Sequence, residues 1–181
     1  MFITKEMKMV DAIHHNSLLL PVINRMGVQL GFGDQSIENI CKEKTIDIDF
    51  FLMIINAFLD HDINKTLKIK SVSVEKVVQY LKATHQYYLE RIIPEIENRI
   101  NALIQHSDIN QKQFLLVKNF FVEYKNELYA HIKLEEQSIY PYAIEVFQAN
   151  ETKEENSVLL EKIKKNPIGS YAEEHSDIES K

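Results

Sequence analysis

From Ser73 onward, apolar residues recur in alternating steps of three and four. The first such run extends from about Val74 to Gln105, through Val77, Leu81, Tyr88, Ile92, Ile96, Ile100 and Leu103. That spacing lays one stripe along a helix and is the seam expected of a bundle member. Pro94 falls inside the run and should kink it, because its ring lacks an N–H and crowds the preceding turn. A second run begins near Asn110 and continues to about Gln148, with Phe114, Val117, Phe121, Tyr124 and Leu128 as its stripe and Pro141 bending it near its end. A shorter helical pattern covers Glu154 to Lys164, Pro167 and Gly169 mark a break, and a fourth pattern opens at about Ile168 with Tyr171, His175 and Ile178 on one face.

Residues 1 to 62 have a different texture: short helical patterns separated by turn signals, with glycines in the segment RMGVQLGFGDQS. Asp34 or Ser36 should cap a helix that buries Ile37, Ile40 and Cys41. Asp47 or Asp49 should open another, through Phe51, Ile54, Ile55, Phe58 and Leu59, in which Asn56 interrupts the longest apolar stretch of the chain. Three or four short helices are expected here, forming a small helical N-terminal subdomain. The polar stretch His61 to Ser71 reads as a linker to a second domain over 73–181.

Composition agrees with this helical reading. Of 181 residues 45% are apolar, enough for a sizeable core, and only 4 Gly and 4 Pro are present. The net charge of -6 argues against a nucleic-acid groove, which needs clustered Lys and Arg. No window approaches the ~20 apolar residues of a membrane span. The N-terminus MFITKEMKMVDAIHH is charged and has no continuous apolar segment of the kind a secretory signal needs. A lone cysteine, Cys41, has no internal disulfide partner, which points to a reducing compartment, so a cytoplasmic protein is expected.

The candidate chemistry lies on the helical stripes. His85 sits between Leu81 and Tyr88 on the first seam. His131 follows Leu128 by three, and Glu135 follows His131 by four, so the two stand one turn apart on a line through positions 121, 124, 128, 131, 135, 138 and 142. His175 follows Tyr171 by four on the last face. A buried carboxylate without a partner is expensive, and imidazoles also want hydrogen bonds. Three His and one Glu facing inward from three helices satisfy one another through a shared cation, and imidazole with carboxylate suits iron, zinc or manganese. The competing reading takes each residue singly: a hydrogen-bonded core histidine, or a glutamate paired with Lys125 or Lys133. His14 and His15 are adjacent and point about 100° apart on a helix, so a solvated helix is the simpler account. His61 and His106 fall at helix ends and read as surface residues. Cys41 reads as a small buried hydrophobe, and Tyr129, Tyr140, Tyr142 and Phe147 as packing.

The segments THQYYLERIIPEIENRI, LYAHIKLEEQSIYPY and YAEEHSDIE together resemble the hemerythrin-like, HHE cation-binding domain, across about residues 73 to 181. The most specific part is the step from His131 to Glu135 followed by IYP. The resemblance implies an all-α fold, a hemerythrin-like antiparallel four-helix bundle holding a non-haem di-iron centre. It implies metal ligands at His85, His131 and His175, with Glu135 as a bridging carboxylate. The family's final helix carries a further His and carboxylate; here the sequence given ends at Lys181, so a short or truncated last helix is expected, with a neighbouring subunit in a homodimer as one way to complete the bundle. The segment LLPVINRMGVQLGFGDQSIENICKEKTIDIDFFLMIINAF is similar to the small N-terminal domain of proteins that repair iron–sulfur centres after nitric oxide or oxidative damage. Those proteins carry a Cys-Cys-Gly-Gly segment, where this chain has Gly31, Phe32, Gly33 and Asp34.

Three functions follow as expectations. The first is a non-haem iron protein of the hemerythrin-like class, serving oxygen or nitric oxide sensing, stress defence or repair of iron centres, with the metal ion and a diatomic gas as its partners and with neither nucleic acid nor membrane. The second is a metal-free helical module that dimerises or binds a partner helix. An enzyme ranks last, because no Ser-His or Cys-His nucleophile arrangement, phosphate loop or dinucleotide fingerprint is present.

Overall fold

The computed structural model describes residues 2–59, 73–106, 111–152, 157–165 and 167. It is all-α, as the spacing of apolar residues predicts, and among the described residues the only extended pairing is an isolated bridge between Lys8 and Ser36. The chain divides into two units, Met1–Tyr87 and Tyr88–Lys181. The expected linker from His61 to Ser71 and the last pattern around Tyr171 lie outside the described residues.

Among the described residues, five helices build the first unit: α1 (Met9–His15), α2 (Leu19–Arg25), α3 (Ile37–Glu43), α4 (Ile48–Leu59) and α5 (Val74–Tyr87). At each of two helix starts, one of the two expected caps is used: Ser36 for α3 and Asp47 for α4. The Ser36 hydroxyl accepts from the Asn39 N–H at 3.3 Å, and Asp47 Oδ1 accepts from the N–H groups of Asp49 and Phe50 at 3.0 Å each. These bonds satisfy donors that every helix start leaves open. The core packs Ile3, Met9, Leu19, Val22, Ile23, Ile37, Ile40, Cys41, Phe51 and Ile55 together. Asn56, the polar interruption of α4, is buried among them and clamps the N-terminal segment. Its Oδ1 accepts from the Ile3 N–H at 2.7 Å, and its Nδ2 donates to the carbonyls of Ile3 and Leu52, both at 2.9 Å.

Two of these helices end in the same way with different residues. After α2, Gly27 takes a φ of 85°, and the Val28 N–H returns to the Ile23 carbonyl at 3.1 Å. After α3, Thr45 takes a φ of 57°, and the Ile46 N–H returns to the Cys41 carbonyl at 2.8 Å. This left-handed closing residue is ordinarily glycine, since a Cβ crowds the backbone there.

The second unit comprises a π-helical segment (Tyr88–Ile92), α6 (Ile93–His106), α7 (Gln111–Leu134), a second π-helical segment (Glu135–Ile139), α8 (Tyr140–Thr152) and α9 (Ser157–Lys165). Each π segment ends just before a proline, Pro94 or Pro141. A proline has no N–H for the carbonyl four residues back, here Glu90 or Gln137, and its ring pushes against that turn. A wider turn removes the clash without ending the helix. The expected kinks are therefore expressed as π turns. α6 and α7 pack together, tied by Lys125 Nζ on both Glu97 carboxylate oxygens at 3.0 and 3.1 Å. α8 and α9 are joined by Lys162 Nζ on Glu145 at 2.8 Å, with the same ammonium 4.8 Å from the centre of the Tyr142 ring.

The buried positions depart from the expected stripes. Tyr88, Ile96 and Leu103, expected on the seam, are exposed at 43%, 37% and 55%, while Val78 and Ile93 are buried. On α7, Phe121 is buried as expected, but Val117 and Tyr124 are exposed.

Candidate metal centre

His131 and Glu135 are placed by the end of α7 and the first residue of the second π segment. Their four-residue separation stacks the side chains on one face. The Glu135 side chain is 9% exposed and that of His131 15%, and His131 Nε2 stands 3.4 Å from Glu135 Oε1. Both residues therefore face inward. Lys125, weighed as a partner for Glu135, is instead bound to Glu97.

The other carboxylate oxygen is also engaged. The Tyr140 hydroxyl donates to Glu135 Oε2 at 3.2 Å, in a buried contact. Burial, and then the neighbouring Glu135 carboxylate, push the Tyr140 phenol well above the usual tyrosine range, so it stays a proton donor. Tyr140 reads from the sequence only as packing. In an α-helix, residues five apart point away from each other. A π turn holds more residues per turn, so position i+5 swings toward the face of position i. Pro141 was the available signal, because a proline at that point demands the wide turn that brings Tyr140 onto Glu135.

His85 lies near the end of α5 in the first unit, three residues before the first π segment. His175 lies outside the described residues. Among the described residues, no group of three or more His, Cys, Asp or Glu side chains is gathered as a metal ion would require. His131 and Glu135 supply an imidazole nitrogen and carboxylate oxygens, a donor set that fits iron, zinc or manganese. His14 and His15 are exposed at the end of α1. Cys41 is 1% exposed, and burial first, then the Asp47 carboxylate, push its thiol up to about 11.

The chain is 21% identical over 151 residues to the iron-sulfur cluster repair protein ScdA of Staphylococcus epidermidis, in each of two strains. The aligned region covers 82% of this chain and 67% of that protein. No family model matches the chain, and no solved structure matches it. The chain is thus an all-α protein distantly related, over most of its length, to an iron–sulfur cluster repair protein.

Proposed function

We propose that this protein binds non-haem iron, as a di-iron pair of the hemerythrin-like kind, and acts in repair of iron centres or in sensing oxygen or nitric oxide under stress. The observation that carries the proposal is the cluster of His131, Glu135 and Tyr140, with Glu135 and Tyr140 buried and His131 partly so. An imidazole and a carboxylate meet on one inward face, and a tyrosine holds the second carboxylate oxygen. Ligating carboxylates and imidazoles are ordinarily oriented by such outer hydrogen bonds, and Tyr140 suits that positioning role. His131, Glu135, His85 and His175 are the proposed ligands. Bound iron would supply a Lewis-acidic centre able to take a diatomic gas. The distant relation to a named cluster-repair protein supports the iron reading. A cytoplasmic location is part of the proposal, supported by the single buried thiol; no described helix is long and apolar enough to cross a membrane.

Anaerobic titration of the full chain with ferrous iron, followed by calorimetry, tests this reading. Saturable binding that weakens by about tenfold or more in both His131→Ala and Glu135→Ala is the expected result, each lost ligand being worth at least ~1.4 kcal/mol. Identical titrations for wild type and both variants would sink the proposal.

A second reading has its own observation. α7 exposes Leu116 at 68% and Phe120 at 66%, and large exposed apolar side chains on one helix favour a protein partner such as a second copy of the chain. Light scattering separates the two readings: a dimer that persists in chelator and holds no metal supports the metal-free module.

A further inference from the structure

A cavity of about 270 Å³ opens within the first unit, between the end of α2, the turn joining α3 to α4, and α5. Its wall carries Arg25, Asp47, Phe50, Lys76, Gln79 and Tyr80. Two of these are cations and one is an anion, so the wall is net positive on a chain whose net charge is -6.

The three charges are not equally satisfied. Asp47 is fully engaged, with one oxygen capping α4 and the other paired with Lys76. Arg25 is different. Its Nη2 donates to the Tyr80 hydroxyl at 3.0 Å. Its guanidinium carbon lies 5.4 Å from the centre of the Tyr80 ring and 5.6 Å from that of Tyr87. Its Nε is fully buried and has no hydrogen-bond partner, and among the described residues no carboxylate pairs with it. The guanidinium charge is therefore not compensated by a carboxylate within the cavity wall.

Arg25 lines the cavity beside Lys76, and the planar donors of a guanidinium suit an oxyanion. Two tyrosine rings hold the guanidinium in place. Beside it, Phe50 and Tyr80 meet edge to face, with ring centres 6.4 Å apart and planes at 80°, and give the cavity an apolar wall. Mixed apolar walls with a few convergent polar groups are characteristic of small-molecule pockets. We propose that this cavity binds a small oxyanion-bearing molecule, a carboxylate or a phosphate, with its charged head on Arg25 and Lys76 and its body against Phe50 and Tyr80. One arginine and one lysine are too few to follow a polyphosphate backbone, so the ligand is a free small molecule rather than a nucleic acid. The site lies in the first unit.

The test is a chemical-shift titration of the full-length, isotope-labelled chain with two probes, benzoate and inorganic phosphate. Benzoate has a carboxylate head and an apolar body, and phosphate has a head alone. Saturable shifts at the amides of Met26, Ile46 and Gln79 are expected with at least one probe, and which probe binds tighter tells a carboxylate site from a phosphate site. Arg25→Gln should weaken binding by about tenfold or more. Gln79→Glu places a competing carboxylate in the cavity wall. It should abolish binding and also raise the melting temperature of the first unit, because Arg25 gains a partner. If Arg25→Gln fails to fold by circular dichroism, Gln79→Glu decides the matter alone. No saturable shift with either probe, or a Gln79→Glu chain that binds as wild type does, overturns the proposal.

Discussion

Replacing Asn56 with alanine should be among the most damaging single changes in the first unit. The side chain holds the backbone of Ile3, which lies 53 positions away and is 0% exposed. Without the amide, the Ile3 N–H loses its acceptor at 2.7 Å and the Ile3 carbonyl loses its donor at 2.9 Å, and neither faces water. Each buried group left unpaired costs about 1–3 kcal/mol. Water entering the space vacated by the amide would recover part of that loss, so a total of roughly 2–4 kcal/mol is expected, set against the 5–15 kcal/mol of a typical domain. For a unit of this size each kcal/mol moves the melting temperature by about 4–8 °C, which predicts a fall of roughly 8–32 °C. Amide hydrogen exchange by mass spectrometry is the suitable assay, because peptides from the N-terminal segment and α4 report on the first unit alone. Asn56→Leu is the control. It fills the space but makes no hydrogen bonds, so it should lose nearly as much as Asn56→Ala. A loss under about 0.5 kcal/mol for Asn56→Ala, the range of ordinary surface changes, would refute the reasoning. A wild-type-like Asn56→Leu would show that volume, not hydrogen bonding, is what Asn56 supplies.

The two left-handed helix ends make opposite predictions. Thr45→Gly should stabilise the chain by about 1 kcal/mol, since a non-glycine residue in that region is strained by roughly 1–2 kcal/mol; Gly27→Ala should lose a similar ~1 kcal/mol from φ strain alone, because no atom lies within 4 Å of an added Cβ. Urea midpoints for the two variants check both signs together. The Cys41 thiol should be inert to a disulfide reagent at about pH 8, where an ordinary cysteine is partly thiolate, and should react only when the first unit unfolds; modification in the native chain at the rate of a free thiol contradicts its burial. Lys76, and then the Phe50 N–H, hold the Asp47 carboxyl below the usual aspartate value. A depressed value means that the stabilisation is complete above about pH 4 and is lost as the pH falls through the folded-state value. Asp47→Asn should therefore be less stable at neutral pH and show a flatter acid limb in its urea midpoints, whereas parallel limbs for the two proteins would show that the ion pair contributes nothing.

Local signals in the sequence carry much of this fold. The three-and-four spacing marks α5 to α7, Ser36 and Asp47 announce α3 and α4, and Cys41 falls on a buried face. The stripe fails past the first π segment, and also at Val117 and Tyr124 on α7, which no wide turn precedes. An extra residue per turn before Pro94 rotates the following positions, so Ile96 and Leu103 leave the buried face and Ile93 takes a place on it. Asn56 shows the other limit. A polar residue in an apolar run is visible, but its partner Ile3 is distant in the chain and no local pattern joins them. The site divides along the same line. The His131–Glu135 contact follows from helical periodicity alone, whereas Tyr140 depends on a π turn that periodicity does not include. His85 and His175 enter as ligands through the resemblance alone, since no local pattern joins them to His131 and Glu135.

The most direct measurement of the central claim is iron content by elemental analysis of the full chain, reconstituted anaerobically and desalted, beside the Glu135→Gln variant. Glutamine keeps the shape and can still accept from Tyr140, but it lacks the charge a bridging ligand supplies. The account predicts roughly two iron ions per wild-type chain, the complement of a carboxylate-bridged bundle site, and a clear loss of iron in the variant. A wild-type chain that retains no stoichiometric iron, or a variant that retains as much as the wild type, would contradict it.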